Sequence, residues 1–239
     1  MSESQIRALL TERIETVEGR IQAACRRAGR KRTEVTLVAV TKTVAADVAA
    51  LLPQLGILHL GESRPQELWR KAALVPEAVQ WHLIGHLQRN KIERTLPLVQ
   101  LIHSVDSVRL LDALEQEAAK QQRALPILLE VNASGEASKH GYSPEEVMNL
   151  CSRIMALERV GVLGLMTMAA FDKNPEHARP AFAAVRELRD EVRKAMGRAH
   201  ALPHLSMGMS NDFEVAIEEG ATLVRVGTAL FEGLPGSAK

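Results

Sequence analysis

Residues 36–61 read TLVAVTKTVAADVAALLPQLGILHLG, and how this stretch is parsed decides the fold. It opens on an apolar, Val-rich run, TLVAV (36–40), passes through a short polar segment that carries Lys42 between two threonines, and closes on a second apolar run, ILHLG (57–61). Residues 45–54, rich in Ala and Leu, read as a helix between them. Parallel strands need a connection of about a dozen residues or more, usually helical, so the stretch reads as a strand–helix–strand unit with parallel pairing. No GxGxxG follows the first strand, which disfavours the dinucleotide-binding version of that unit.

The rhythm continues to the end of the chain. Candidate strands recur at 80–85, 101–105, 126–132, 160–167, 204–209 and 223–231, with candidate helices at 64–73, 88–94, 107–121, 144–157, 175–196 and 211–219. One helix start is marked by Ser143-Pro144-Glu145-Glu146, a cap followed by proline and by acids that oppose the helix dipole. Eight strands alternating with helices favour an α/β fold, a single (β/α)8 TIM-type barrel, over an open doubly wound sheet. Ahead of it, Ile6, Leu9, Leu10, Ile14, Val17, Ile21 and Ala24 recur at three- and four-residue steps and Gly29 closes the run, so an extra N-terminal helix is expected, packed on its own domain. With no linker rich in Gly, Pro or Ser, residues 1–239 are expected to form one domain.

Composition narrows the function. A formal net charge of +1 and 3% aromatic residues argue against nucleic acid, which needs a basic field or a stacking platform, and against an anionic membrane surface. Cys25 and Cys151 fall on candidate helices and read as reduced core residues. The first residues alternate charged and apolar types and no window resembles a membrane span, so a cytoplasmic protein is expected.

In such a barrel the functional face is the C-terminal end of the strands, and phosphate is often held by the loops after strands seven and eight. Those loops read SMGMSND (206–212) and RVGT (225–228), where Ser206, Gly208, Ser210, Gly227 and Thr228 offer hydroxyls and close backbone approach to an anion. Arg225 stands inside an apolar strand and must meet an acid or a ligand, or point outward among the helices. Lys42 lies at the end of strand one, which neighbours strand eight in a closed barrel. An amine desolvated beside another cation has its pKa lowered, which suits it to attack an aldehyde and form a Schiff base. Pyridoxal 5′-phosphate is a phosphate-bearing aldehyde that fits. His82 and His86 are four apart, but they flank a strand end and a glycine rather than sharing a helix face, so they do not read as a zinc pair. His59, His103 and His204 read as structural residues of strands.

From about residue 5 to 233 the chain resembles the pyridoxal phosphate homeostasis proteins, fold-type III proteins similar to the N-terminal barrel of alanine racemase. The motifs that carry the resemblance are LVAVTKT, HLGES, QWHLIGHLQRNK, HSVDS, LLEVNASGEASKHG, GVLGLMTM and LSMGMSNDFEVAIEEGATLVRVGTALF. The resemblance implies that Lys42 is the Schiff-base lysine, that Arg225 faces the pyridine nitrogen and that Ser210, Gly227 and Thr228 hold the phosphate. It further implies that Ser206, Met207, Ile84 and Met166 line the pocket and that Lys139 is a second lysine handling cofactor nearby. Two stretches depart from the family pattern: Ser63-Arg64 stands where GEN is usually completed and followed by an aromatic residue, and His82-Leu83-Ile84-Gly85-His86-Leu87-Gln88 stands where the family usually reads HFIGPLQ. Ser63 retains a hydrogen-bonding group toward the ring with a shorter reach.

An arginine opposite the ring nitrogen leaves the ring a poor electron sink. Racemisation also wants an acid or base on each face, a role filled in racemases by a tyrosine from an additional β-domain, whereas the one tyrosine here is Tyr142, in the loop with Lys139. The expectation is therefore a non-catalytic carrier in vitamin B6 homeostasis that supplies cofactor to apo-enzymes, a monomer rather than a dimer. The alternatives are a weak pyridoxal-phosphate-dependent amino acid racemase or lyase, and an interaction protein that engages an enzyme through its first helix.

Overall fold

The computed structural model describes residues 1–75, 78–133, 140–197 and 202–234. Its eight strands close into a parallel barrel in chain order: β1 Thr36–Val40, β2 His59–Glu62, β3 Gln80–Leu83, β4 Val99–Val105, β5 Leu125–Glu130, β6 Val160–Met166, β7 His204–Ser206 and β8 Leu223–Val226. Around them run α1 Glu3–Arg27, α2 Ala46–Leu51, α3 Pro65–Ala72, α4 Ile92–Thr95, α5 Val108–Lys120, α6 Pro144–Asn149, α7 Cys151–Met155, α8 Arg179–Ala195, α9 Phe213–Glu218 and α10 Thr228–Phe231. The TIM-type barrel and the N-terminal helix expected from the sequence are both present. Among the described residues no helix is long and apolar enough to cross a membrane.

Strand alternation sorts the side chains into two layers. On β1, Leu37 and Ala39 join the large core between sheet and helices, while Val38 turns into the lumen with Leu101, Leu128, Met166 and Leu223. Helix α1 begins with a capping box in which Ser2 and Gln5 satisfy each other's backbone N–H, and it buries Ile6, Leu10, Ile14, Val17 and Ile21. Each fully buried aliphatic side chain contributes about 1.5–3 kcal/mol relative to exposure. The buried stripe packs on α9 and α10, and the Arg20 guanidinium lies 4.5 Å over the Phe213 ring, so α1 braces the two helices that follow strands seven and eight.

The sequence overruns the strand ends on the functional face. The apolar run predicts a strand over 223–231, but β8 stops at Val226, and Gly227 turns the chain into α10, whose Leu230 and Phe231 keep the apolar pattern going by burying themselves as helix. A strand predicted over 204–209 ends at Ser206. Gly208 breaks it at φ +88°, where an added Cβ would sit 2.6 Å from the Ala216 Cβ, so no side chain fits. The fifth strand stops at Glu130, leaving Val131 in an isolated bridge with Tyr142. The helix predicted over 144–157 is broken into α6 and α7. Shorter strands seven and eight leave Ser210, Gly227 and Thr228 beyond the barrel rim.

Candidate functional site

A cavity of about 420 Å³ opens at the C-terminal ends of the strands, lined among others by Lys42, Ser63, Ile84, Ser210, Arg225, Gly227 and Thr228. That size lies within the range of small-molecule sites. Parallel pairing brings its two halves together. Val38 of β1 pairs with Arg225 of β8, and Ala39 with Val226. One step further Gly227 comes so close to Val40 that an added Cβ would lie 3.3 Å from the Val40 carbonyl oxygen. Lys42 lies two residues beyond that contact.

The residue before Lys42 is clamped from below. Thr41 is fully buried, its N–H donates to the Gly61 carbonyl at 2.9 Å, and its hydroxyl donates to Glu62 Oε1 at 2.7 Å. Lys71, from α3, donates to the Thr41 carbonyl at 2.7 Å and pairs with Glu62. Both charged side chains are 1% exposed, and Glu62 Oε2 has no partner among the described residues. Sequence reasoning missed this pair. Its signal was an acid ending the strand in HLGES and a lysine nine residues later on a helix. Lys42 itself is exposed at the cavity rather than desolvated beside Arg225 as expected.

Arg225 resolves the choice left open by its strand: it points into the lumen, 3% exposed. It donates to Ser206 Oγ at 2.5 Å and to the Thr167 carbonyl at 2.9 Å, and among the described residues it forms no ion pair. Burial lowers its pKa to about 10, opposed by the Asp212 and Glu130 carboxylates, so it stays charged at neutral pH. Burial in turn raises the pKa of both Asp212 and Glu130. Asp212 also holds the β7–α9 loop by accepting the Met209 N–H at 2.6 Å.

On the other wall, Ser210 Oγ accepts the Gly227 and Ala229 N–H groups, each at 3.2 Å, and so ties the β7–α9 loop to the start of α10. Thr228 is exposed at that start. The donors around the cavity are thus a primary amine, a buried guanidinium, and a cluster of hydroxyl and backbone N–H groups. This set fits a molecule with an aldehyde, a ring acceptor and a phosphate.

Other expected site residues lie elsewhere. Met207 does not line the cavity: alternation along β7 turns Ser206 inward and Met207 outward, into the core between sheet and helices. Met166 is buried in the lumen cluster and Ser206 lies beneath Arg225, so neither wall includes them. Lys139 falls outside the described residues. His82 is buried, while His86 faces Asp106 at 3.0 Å and stacks on His140. Among the described residues no group of three His, Cys, Asp or Glu side chains is able to hold a metal. Exposed Met168 and Phe171, both on the cavity wall, were not anticipated.

The family described as alanine racemase, N-terminal domain, matches over residues 15–235. A protein of Aquifex aeolicus named pyridoxal phosphate homeostasis protein is 46% identical over 221 residues, 92% of this chain and 96% of that one. The structure of PipY of Synechococcus elongatus with PLP bound is 30% identical, with a TM-score of 0.80 over 93% of this chain and 99% of that one. The alanine racemase of Corynebacterium glutamicum, 16% identical with a TM-score of 0.70, covers 92% of this chain, which spans 62% of the racemase, and shares the fold.

Proposed function

The chain belongs to the pyridoxal phosphate homeostasis protein family, within the alanine racemase N-terminal domain family, and on that premise we propose that it binds pyridoxal 5′-phosphate as a Schiff base on Lys42. The observation that carries the reading is the meeting of Lys42, Arg225 and the Ser210–Gly227–Thr228 cluster in one cavity. When bound, the cofactor supplies an aldehyde that condenses with a primary amine with loss of one water. The Thr41 clamp holds Lys42 at the mouth, Ser210 and Thr228 with the Gly227 backbone take the phosphate, and Ser63 and Ile84 border the ring. Arg225, charged and donor-only, hydrogen-bonds the ring nitrogen without readily protonating it.

That last role favours a carrier over a catalyst. Tyr142, the one tyrosine, is 4% exposed, absent from the cavity wall and raised in pKa by burial, so it supplies no acid or base there. We infer a cytoplasmic, monomeric, single-domain protein that limits free cofactor and delivers it to apo-enzymes, with Lys139 assisting transfer.

Purified protein reconstituted with the cofactor should show a visible absorption band and a borohydride-stable adduct, both lost in Lys42→Ala. Persistence of both in the mutant would overturn the assignment. Incubation with single-enantiomer amino acids in deuterated water should give no Cα exchange above the free-cofactor rate, and sustained exchange would instead establish the racemase or lyase reading.

A further inference from the structure

Beneath Arg225 the lumen holds an unbroken column of polar side chains contributed by five strands. Arg225 on β8 donates to Ser206 Oγ on β7, 2.5 Å away. Ser206 Oγ lies 2.8 Å from His103 Nδ1 on β4, His103 Nε2 lies 2.8 Å from His82 Nδ1 on β3, and His82 Nε2 lies 3.0 Å from His59 Nδ1 at the start of β2. Ser206, His103 and His82 are at most 2% exposed, and His59 is half-buried.

The direction of these bonds follows from the chemistry of the first donor. A guanidinium has no acceptor, so the Ser206 oxygen must accept from it. The Ser206 hydroxyl then has one hydrogen to place and, among the described residues, His103 Nδ1 is the acceptor facing it. Were Nδ1 protonated instead, the serine would accept twice and bury its own proton without a partner, which is destabilising. His103 therefore carries its hydrogen on Nε2 and donates to His82 Nδ1. His82 carries its hydrogen on Nε2 and donates to His59 Nδ1.

We propose that Ser206, His103, His82 and His59 are positioning residues, a one-directional column that fixes the guanidinium of Arg225 at the floor of the cavity and whose tautomers Arg225 dictates. The column is an all-or-none device. Adding a second proton to His82 sets its Nδ1–H against the His103 Nε2–H, and adding one to His103 sets its Nδ1–H against the Ser206 hydroxyl hydrogen. The surroundings oppose that proton as well. Burial foremost, with neighbouring His59 and His204, lowers the pKa of His82 to about 3, and burial, with His82, Arg225 and His204, lowers that of His103 well below normal. The carboxylates near Arg225, Glu130 on β5 and Asp212 before α9, are the groups of opposite sign, while His204 on β7 faces Thr222 Oγ1 at 3.3 Å. The single positive charge of the column thus stays at its cavity end. The effect on ligand binding rests on the function proposed above; the tautomer pattern does not.

Nitrogen-15 side-chain spectra of the ligand-free protein decide the matter. His59, His82 and His103 should each show the Nε2–H tautomer, and His82 and His103 should not titrate between about pH 5 and 8, where a free histidine does. In Ser206→Ala all three should lose the single-tautomer pattern, and Ser206→Thr, which keeps a hydroxyl, should restore it. An Nδ1–H signal at any of the three in the wild type, or spectra unchanged by Ser206→Ala, would overturn the column. Should Ser206→Ala fail to fold, the wild-type spectrum alone still settles the direction. In a second arm, equilibrium binding of pyridoxal 5′-phosphate should weaken about tenfold in Ser206→Ala, the scale of one bond to a charged group, and recover in Ser206→Thr. Disturbed tautomers with unchanged affinity would overturn the positioning role. Intact tautomers in a wild type that binds no pyridoxal phosphate would instead refute the proposed function.

Discussion

The barrel has two dry interiors, and they obey different rules. Between sheet and helices the core is aliphatic and aromatic nearly throughout, and its conspicuous charged insertion, Glu62 with Lys71, serves the backbone by gripping Thr41. Inside the lumen a small apolar cluster of Val38, Leu101, Leu128, Met166 and Leu223 shares the space with a polar column that ends at Arg225 and the cavity. A filled barrel needs only packed side chains in its lumen. Polar groups placed there give up solvation, and here they recover it from one another in a chain that leads to the site. The difference separates residues that hold the barrel's shape from those that hold its charge in place.

The largest expected effect tests the outer insertion. Glu62→Ala strands the buried Lys71 ammonium and should destabilise the protein by about 3–5 kcal/mol, whereas replacing both partners, Glu62→Met with Lys71→Met, should recover most of that loss. Urea unfolding of the three proteins measures it. A single mutant within about 1 kcal/mol of wild type would show that the pair is hydrated and that the outer layer is less dry than the contrast requires.

Acid tests the lumen. With folded-state pKa values depressed, His82 to about 3 and His103 well below normal, the folded protein binds fewer protons than the unfolded chain once pH falls below the ordinary imidazole value. Stability from these groups is therefore complete above about pH 6.5 and declines as pH drops toward the folded values. At about 1.4 kcal/mol per pH unit, each histidine should lose about 2 kcal/mol by pH 5. Glu130 and Asp212, with raised pKa values, act in the opposite sense, so the informative quantity is the difference between wild type and His82→Gln. The variant should lose less stability between pH 7 and 5 than the wild type. Equal losses would mean that His82 takes up a proton inside the lumen, and the contrast would fail there.

How far the sequence could be read follows the same division. Strand existence was legible because each run is apolar, β-rich and bounded by helical spacing, and β1 begins and ends where the sequence places it. The rim was not, because Leu230 and Phe231 are buried in a short helix and periodicity cannot separate that from a strand continuing. Lys42, Arg225, Ser210, Gly227 and Thr228 were readable from which loops a barrel brings together. Met207, placed in the pocket by the family resemblance, packs instead into the core between sheet and helices. The histidines of HLG, WHL and IHS were each seen, but their connection depends on the register between successive strands separated by a helix, which no local pattern encodes.

The smallest effect sharpens the boundary between shape and site. Thr228 lies at the cavity, exposed, and no hydrogen bond of its hydroxyl to the protein is seen among the described residues. Thr228→Val should therefore leave stability within about 0.5 kcal/mol. Retention of pyridoxal 5′-phosphate should still weaken about tenfold, about 1.4 kcal/mol, as one hydroxyl bond to a charged phosphate is lost. Ser210→Ala, by contrast, removes the acceptor of the Gly227 and Ala229 N–H groups and should lower stability by about 1–2 kcal/mol as well as affinity. Equilibrium dialysis of the cofactor alongside urea unfolding separates the two readouts. If Thr228→Val bound as tightly as wild type while Ser210→Ala did not, the phosphate would be held by the serine and the backbone alone, and the site would begin one residue before α10.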